Sequence, residues 1–428
     1  MAWNINKIAL IRAVIWGGMV MLDLKTAAAT SATLTLKDAL TRALSSNPEL
    51  SAFRYHAEAE DSATRAQAWP NNPQVGLAYE KDSSLMQQQM GPMTSASISQ
   101  EILFPPKYIL RGSAQHHRAQ AADQEYANKK LEIRQKVMSA YYNLYAIRRT
   151  IDLLKAQKET LREIARIAES KRATGVVPQQ DEMKAHVEQT KLESELLLAI
   201  QESEITESAL NVLLYQNPTQ PILLTHTNLD VPKITVALDT LTEQVPNTSP
   251  TIKQQEYLSE EAKTQKSLAD LGYAPDFMLT FQKPFINAPA GAYQASVGIS
   301  IPLWFFMQQT SEVASATRRS MQSENLLIHT RQEVHSMVRV LSAKIRTNEK
   351  ILKIYETALI PQASSTLNSS RSAYKAGRTS FIELLDSERS VYALQIAYYQ
   401  ALTQYVTMLS ELERVTGQSI SSLPFGDG

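Results

Sequence analysis

"SAYKAGRTSFIELLDSE", residues 372–388, breaks a helical pattern at Gly377 and sets two carboxylates, Glu383 and Asp386, just beyond the break. Its meaning depends on a second copy. Lys171-Arg172-Ala173-Thr174-Gly175 precedes Ala373-Tyr374-Lys375-Ala376-Gly377 by 202 residues. The same offset pairs Pro48 with Pro250 and Pro73 with Pro275. It also pairs Val75, Leu77 and Tyr79 with Phe277, Leu279 and Phe281, and Asp181 with Glu383. One offset held over that distance marks an internal duplication.

Each half runs through the same elements. The first repeat, 30–232, has a helical stretch at 48–69 and strands at about 73–82 and 94–104. A long helix at 107–174 and a returning helix at 178–216 complete it. The second, 233–428, has a helical stretch at 250–272, strands at about 275–284 and 292–303, a long helix at 306–376 and a return at 379–417. Phe277, Leu279 and Phe281 alternate with polar residues, as do Tyr293, Ala295, Val297, Ile299 and Ile301. Ser95, Ser97 and Ser99 share one face. Such lengths suit a tilted strand crossing a bilayer, or a soluble sheet with one wet face.

The first long helix carries apolar residues at Ile133, Val137, Tyr141, Leu144, Ile147, Ile151, Leu154, Leu161, Ile164 and Ala168, a coiled-coil-like seam. Its only internal breaker is Gly112, and Pro361 predicts a kink in the second. Each long helix would span roughly 100 Å, so each returning helix needs a short helix stacked on its end to match that length. The leftover segments, 30–47, 217–249 and the C-terminal tail, then fall at the joins as a belt. Gly175 and Gly377 are expected in the left-handed conformation that lets a helix reverse, and Pro178 in a first turn.

The N-terminus has Lys7 and Arg12, an apolar run from Ala13 to Leu22, and small residues at Thr26–Ala32. That order reads as a secretory signal peptide, residues 1–29, with a single membrane anchor as the alternative. There are no cysteines, which excludes disulfides, thiolate metal sites and a cysteine-borne lipid anchor. Zero formal net charge argues against a nucleic-acid partner. No enzyme motif is present. His186-Val187-Glu188 lacks the second histidine of a zinc protease. His116 and His117 are adjacent, so on a helix they diverge, and the remaining histidines (His56, His226, His329, His335) are scattered. Met86, Met90 and Met93 sit in the loop between the first two strands. No cofactor and no metal site are expected. On the residues alone, Glu383 and Asp386 lie on one helix face that is either solvated or functional.

Together these features resemble the TolC family of outer-membrane efflux proteins over about 34–417. The residues that carry the likeness are Leu36-Lys37-Asp38-Ala39-Leu40 with Asn47-Pro48, Trp69-Pro70-Asn71-Asn72-Pro73, and Ser99-Gln100-Glu101-Ile102-Leu103-Phe104-Pro105. Ile299-Ser300-Ile301-Pro302-Leu303, and Tyr374-Lys375-Ala376-Gly377 with Leu384-Leu385-Asp386, complete it. Asn72–Val75, Ile98–Lys107 and Leu110-Arg111-Gly112 are most similar to the heavy-metal (CzcC-like) branch, although Pro106 stands where that branch often has glycine.

The resemblance implies a mainly α, α+β fold. A homotrimer would share a transmembrane β-barrel, four strands per protomer, continuing into a long periplasmic α-helical coiled-coil barrel. It implies an exit duct in the outer membrane, partnered by a periplasmic adaptor and, through it, an inner-membrane pump of RND type. Cargo would be heavy-metal cations, drugs or an exported protein. Glu383 and Asp386 would line the entrance in stacked acidic rings, with Tyr374 and an arginine tying it shut. Arg378 sits one position before the expected arginine, where this chain has Thr379. Gly175, Val176, Gly377 and Arg378 would form the adaptor-docking tips. A soluble periplasmic coiled-coil scaffold is the reading from a different class.

Overall fold

The computed structural model describes residues 33–80, 93–173, 179–224, 229, 231–238, 240–286 and 291–422. Residues 1–29, Met86, Met90, Gly175, Val176, Pro178 and His226 lie outside the described residues. The chain is mainly helical with one antiparallel sheet. In order it forms α1 (Leu36–Ser46), α2 (Pro48–Gln67), β1 (Gln74–Glu80), β2 (Met93–Ile102), α3 (Pro105–Ala173) and α4 (Gln179–Leu213). The second half forms α5 (Leu241–Thr248), α6 (Pro250–Asp270), β3 (Asp276–Ile286), β4 (Gln294–Ser300), α7 (Gln308–Ile354), α8 (Ile360–Lys375) and α9 (Phe381–Thr416).

Local chemistry sets the helix ends. Asn47 caps α2 by accepting the N–H groups of Glu49 at 2.8 Å and Leu50 at 3.3 Å, and Pro48 occupies the first turn, where no N–H is needed. Pro250 does the same for α6. α3 opens on Pro105-Pro106 and runs 69 residues, about 100 Å. Gly112 does not break it, contrary to expectation. A Cβ there would lie 3.2 Å from that of Ala68, so the glycine lets the end of α2 approach closely.

The interruption in the second long helix falls one turn before Pro361, as a π-helical turn at Tyr355–Leu359 where Ile360 N–H reaches back to Tyr355 O. Pro361 has no N–H to return to the carbonyl four residues earlier, and the wider turn absorbs that loss.

Four rods pack side by side in each half of the molecule's length. Nearer the sheet the order is α2, α3, α6, α7; farther away it is α4, α3, α9, and then α8 with the end of α7. At the middle, α9 ends on Gly417, whose φ is +71°. A Cβ at Gly417 would sit 2.4 Å from Thr248 O and 2.7 Å from Pro250 Cδ, so α9 abuts the start of α6 end to end. The leftover segments gather at this level. Leu34 bridges to Leu224 and Ile234 to Ser421. Buried Tyr141 and Tyr405 donate to Leu34 O at 3.1 Å and Pro232 O at 3.0 Å, holding the belt to α3 and α9. Burial pushes both phenols up to about 12.

The repeats solve one problem with opposite chemistry. Asn211 in the last turn of α4 and Glu413 in the last turn of α9 are both fully buried and separated by the repeat offset. The Asn211 amide donates to Pro218 O at 3.2 Å and Gln220 O at 2.7 Å. The Glu413 carboxylate accepts Ile420 N–H at 3.0 Å and Ser421 N–H at 3.1 Å. Each fastens the chain just after its helix. Glu413 also pairs with Arg134 of α3 at 2.7 Å, both side chains being at most 3% exposed.

Truncating Glu413 to alanine removes the buried counter-charge opposite Arg134 and leaves two N–H groups without an acceptor. We expect a loss of about 3–5 kcal/mol, read as a lower midpoint in denaturant unfolding of the detergent-solubilised protein.

Candidate functional site

The sheet has order β1-β2-β3-β4, all neighbours antiparallel. Residues paired across strands share a face, so the register sorts the side chains. One face carries Val75, Ile98, Phe281 and Ala295 in one row, Leu279 and Val297 in the next, then Ile102, Phe277 and Ile299. The other carries Gln74, Ser99, Thr280 and Ser296, then Gly76, Ser97, Gln282 and Gln294. The apolar face is bare: Val75 and Leu77 are 78% and 77% exposed, and Val297 is 70% exposed. β1 and β4 each have one unpaired edge.

A partly buried ion pair joins the sheet to the shaft. Lys107 Nζ lies 2.8 Å from Asp276 Oδ1, which also accepts Phe104 N–H at 2.8 Å, tying the first turn of α3 to the start of β3. Next to that junction Leu303, Trp304, Phe305, Phe306 and Met307 are exposed, as is Trp69. Among the described residues no helix is long and apolar enough to cross a membrane.

At the opposite end, α8 reverses into α9. Gly377 has φ +72° and accepts no steric neighbour for a Cβ, as the turn requires. Gly377 N–H donates to Tyr374 O at 3.0 Å and Arg378 N–H to Ala373 O at 2.9 Å, closing the helix end. Ser380 then caps α9, accepting Glu383 N–H at 3.2 Å, while the Glu383 carboxylate accepts Ser380 N–H at 3.3 Å and the Thr379 hydroxyl. That reciprocal arrangement is a capping box. The Thr379 hydroxyl and the Ser380 amide hold the Glu383 carboxyl below its ordinary range.

Glu383 and Asp386 are both exposed, and Leu384 and Leu385 between them are buried against α3 and α4. Arg378 is exposed at the turn. Tyr374, expected at the gate, is buried within the tip. It is 2% exposed, edge-on to Phe381 at 6.0 Å between ring centroids, with Lys171 Nζ 4.7 Å over its ring and bonded to its carbonyl oxygen. The structure thus brings Glu383, Asp386 and Arg378 to one tip and puts Tyr374 inside it.

Beside the tip an open groove of about 450 Å³ is lined by Lys184, Val187 and Glu188 of α4 and Ile382, Asp386 and Arg389 of α9. Arg389 forks onto both Glu188 oxygens, with Nε 2.9 Å from Oε1, and its Nη1 lies 3.6 Å from Asp386 Oδ1. The pairing with Glu188 raises the guanidinium pKa further. One functional group escaped the sequence reading. Glu388 is fully buried between α9 and α3, its Oε2 accepting the Gln157 amide at 3.2 Å, and burial pushes its carboxyl up to about 7. The signal was present: Phe381, Leu384, Leu385, Glu388 and Val391 occupy one helical seam, with an acid where an apolar residue belongs.

The profile of the family described as "Outer membrane efflux protein" matches residues 39–214 and 241–418, two matches that begin 202 residues apart. The cobalt-zinc-cadmium resistance protein CzcC of Cupriavidus metallidurans is 22% identical over 386 residues, 90% of each chain. The outer membrane protein VceC of Vibrio cholerae superposes with a TM-score of 0.77 at 17% identity, over 90% of this chain and 96% of that one. CusC, whose crystal structures were described for transmembrane channel formation, gives 0.75 at 17% identity, over 90% and 92%.

The capping box predicts local behaviour. Replacing Ser380 by alanine should cost about 1 kcal/mol of helix stability, read as faster hydrogen exchange in the first turn of α9. Glu383 has a lowered pKa in the folded chain, so its contribution is present above the ordinary carboxylate range. It is lost as pH falls through the folded value, and the first turn should fray in acid.

Proposed function

The chain belongs to the outer membrane efflux protein family, and from that premise we propose that it is the exit duct of a tripartite efflux system, assembled as a homotrimer. It is an outer-membrane efflux channel reaching into the periplasm, and this family conducts solutes rather than catalysing reactions.

The observation that carries the proposal is the two-faced sheet with open edges. Unpaired strand edges cannot rest in lipid, so the sheet must close on copies of itself. The helical layers are open on the same sides. β1, α2 and α4 form one flank, and β4 with α7 and α8 the other. A rotated copy can therefore continue every layer at once. Two copies would give eight strands, whose interior side chains fill; three give twelve and leave a lumen. The apolar face would meet lipid and the serine and glutamine face would line water. The exposed Trp304–Met307 cluster suits the membrane interface. A soluble scaffold would leave that apolar face in water.

Threefold symmetry would bring Glu383 and Asp386 of each copy around the periplasmic mouth, a ring of negative charge that concentrates cations. Similarity to CzcC supports heavy-metal cations as cargo and an RND-type pump as the energy source, reached through a periplasmic adaptor. The exposed turn at Gly377 and Arg378, with Gly175 and Val176, is the proposed docking tip. Tyr374, enclosed in the core, would steady that tip from within, and Arg378 is free to serve at the mouth.

Reconstituted in planar bilayers, the channel should prefer cations, as read from the reversal potential in a salt gradient. Asp386→Asn should lower that preference more than Glu383→Gln, because the Glu383 carboxylate is turned back onto its own cap. Selectivity unchanged in the double variant sinks the acidic mouth, and a soluble periplasmic pool on fractionation sinks the duct.

A further inference from the structure

The molecule has two separate cores. The larger surrounds the belt, and a smaller one, built on Leu161, Ile164, Leu192, Tyr374, Phe381 and Leu384, holds the α8–α9 hairpin against α3 and α4. The hairpin hangs from the π-helical turn at Tyr355–Leu359, where Pro361 interrupts the helical hydrogen-bond ladder. Its seat is poorly satisfied. Glu388 Oε1, the Tyr374 hydroxyl and Arg371 Nε are all buried without a hydrogen-bond partner. Polar contacts cross the same boundary: Gln157 to Glu388 at 3.2 Å, Thr160 to Tyr392 at 3.0 Å, Arg371 to Glu163 at 3.6 Å, Lys375 to Glu163 at 3.9 Å, and Lys171 Nζ to the Tyr374 carbonyl.

A fully buried carboxyl with one neutral donor is well placed only when it carries a proton, because burial penalises the carboxylate. The nearby cations Arg389 and Arg371 favour the carboxylate less than burial opposes it, because each is engaged elsewhere. Gln157 of α3 is neutral and Glu188 of α4 is acidic. Arg389, on α9 itself, is engaged by Glu188, and Arg371 of α8 lies beside Glu163.

We propose that Glu388 is a proton-operated latch: protonated, it seats the tip half of the α8–α9 hairpin on α3; ionised, it lets that half splay from α3, α8 pivoting at the Tyr355–Leu359 turn and α9 bending below its belt-anchored end. The consequence for conduction rests on the reading of this tip as the channel mouth. The movement itself does not.

The sign follows from linkage. The carboxyl pKa is raised in the seated state, from 4.5 to about 7, and is expected to return to its ordinary value once the hairpin leaves. The seated state is therefore favoured in full below pH 4.5, and the advantage is lost as pH rises through about 7. Across that window the seated-to-released ratio should change on the order of a hundredfold.

The absence of cysteine gives a clean background for labelling. Nitroxides at Glu169→Cys on α3 and Ser372→Cys on α8, both exposed, can be placed in full-length protein diluted with unlabelled protomers and read by pulsed electron resonance. The distance between them should lengthen from pH 5 to pH 8. Glu388→Gln, a neutral copy of the protonated acid, should hold the short distance at both. Gln157→Leu removes the one donor that favours the carboxylate and should move the midpoint to higher pH, a shift that a purely structural role would not produce. Identical distances at pH 5 and pH 8 overturn the latch, and so does an unaltered pH response in Glu388→Gln. A distance that responds while conductance does not keeps the latch and overturns the reading of this tip as the mouth.

Discussion

A sheet with one apolar face and two unpaired edges is unstable both in water and in lipid, and the rest of the molecule is arranged around that constraint. Water penalises the bare face of Val75, Leu77, Val297 and Ile299. Lipid accepts the face but rejects the edges, because an unsatisfied backbone group there costs several kcal/mol. Closure on copies answers both demands. It also explains why the helices pack as a strip rather than a bundle. A bundle would bury α2 and α7 against each other and prevent the strip from continuing into a neighbour. The Lys107–Asp276 pair makes the two levels one piece, fixing where the strip of helices begins relative to the strands.

The duplication supplies the strip cheaply, and the places where the copies differ are the informative ones. At the belt the difference is a change of sign without a change of role, since Asn211 donates where Glu413 accepts. At the tip the copies differ in purpose. Lys184 stands at the place of Asp386, His186 at that of Glu388 and Val187 at that of Arg389. Among the described residues the fully buried acid at the tip lies in the second half. The first half presents Lys184, Val187 and Glu188 to the same groove, Glu188 being paired with Arg389.

Much of this was legible because the periodic signals are strong. Alternation from Phe277 to Phe281, prolines at 48 and 250, and the seam from Ile133 to Ala168 depend on backbone geometry that no distant contact overrides. The belt could be inferred from lengths, because helices of unequal length leave a remainder. Three readings needed the structure. Gly112 reads as a breaker until Ala68 is seen against it. Pro361 reads as the kink, though the turn before it carries the distortion. Tyr374 reads as a surface tie because its partner in the core, Phe381, is across the turn. Glu388 was passed over because an acid two residues from Asp386 looks like more solvated surface. Only its place in the seam betrays burial.

Glu383 and Glu388 sit on the same helix and answer acid in opposite directions. Glu383 is exposed and bonded to N–H and hydroxyl donors that favour its charge, so protonation weakens the cap that starts α9. Glu388 is enclosed, and protonation strengthens the contact that holds α9 to α3. The two responses are not redundant, because they act on different things. The cap sets the order of one turn at the solvent tip, and the seat sets the position of the hairpin's tip half. Acid would therefore leave α9 more firmly docked but frayed at its first turn. Base would leave it well capped, with its tip half free to splay from α3 as an intact rod. A rod that moves without unravelling keeps the outward placing of Asp386, because Leu384 and Leu385 turn with it. In a trimer the charge at the tip would thus be carried by the element proposed to move, and its spacing from its symmetry mates would follow the protonation of an acid buried two residues behind it.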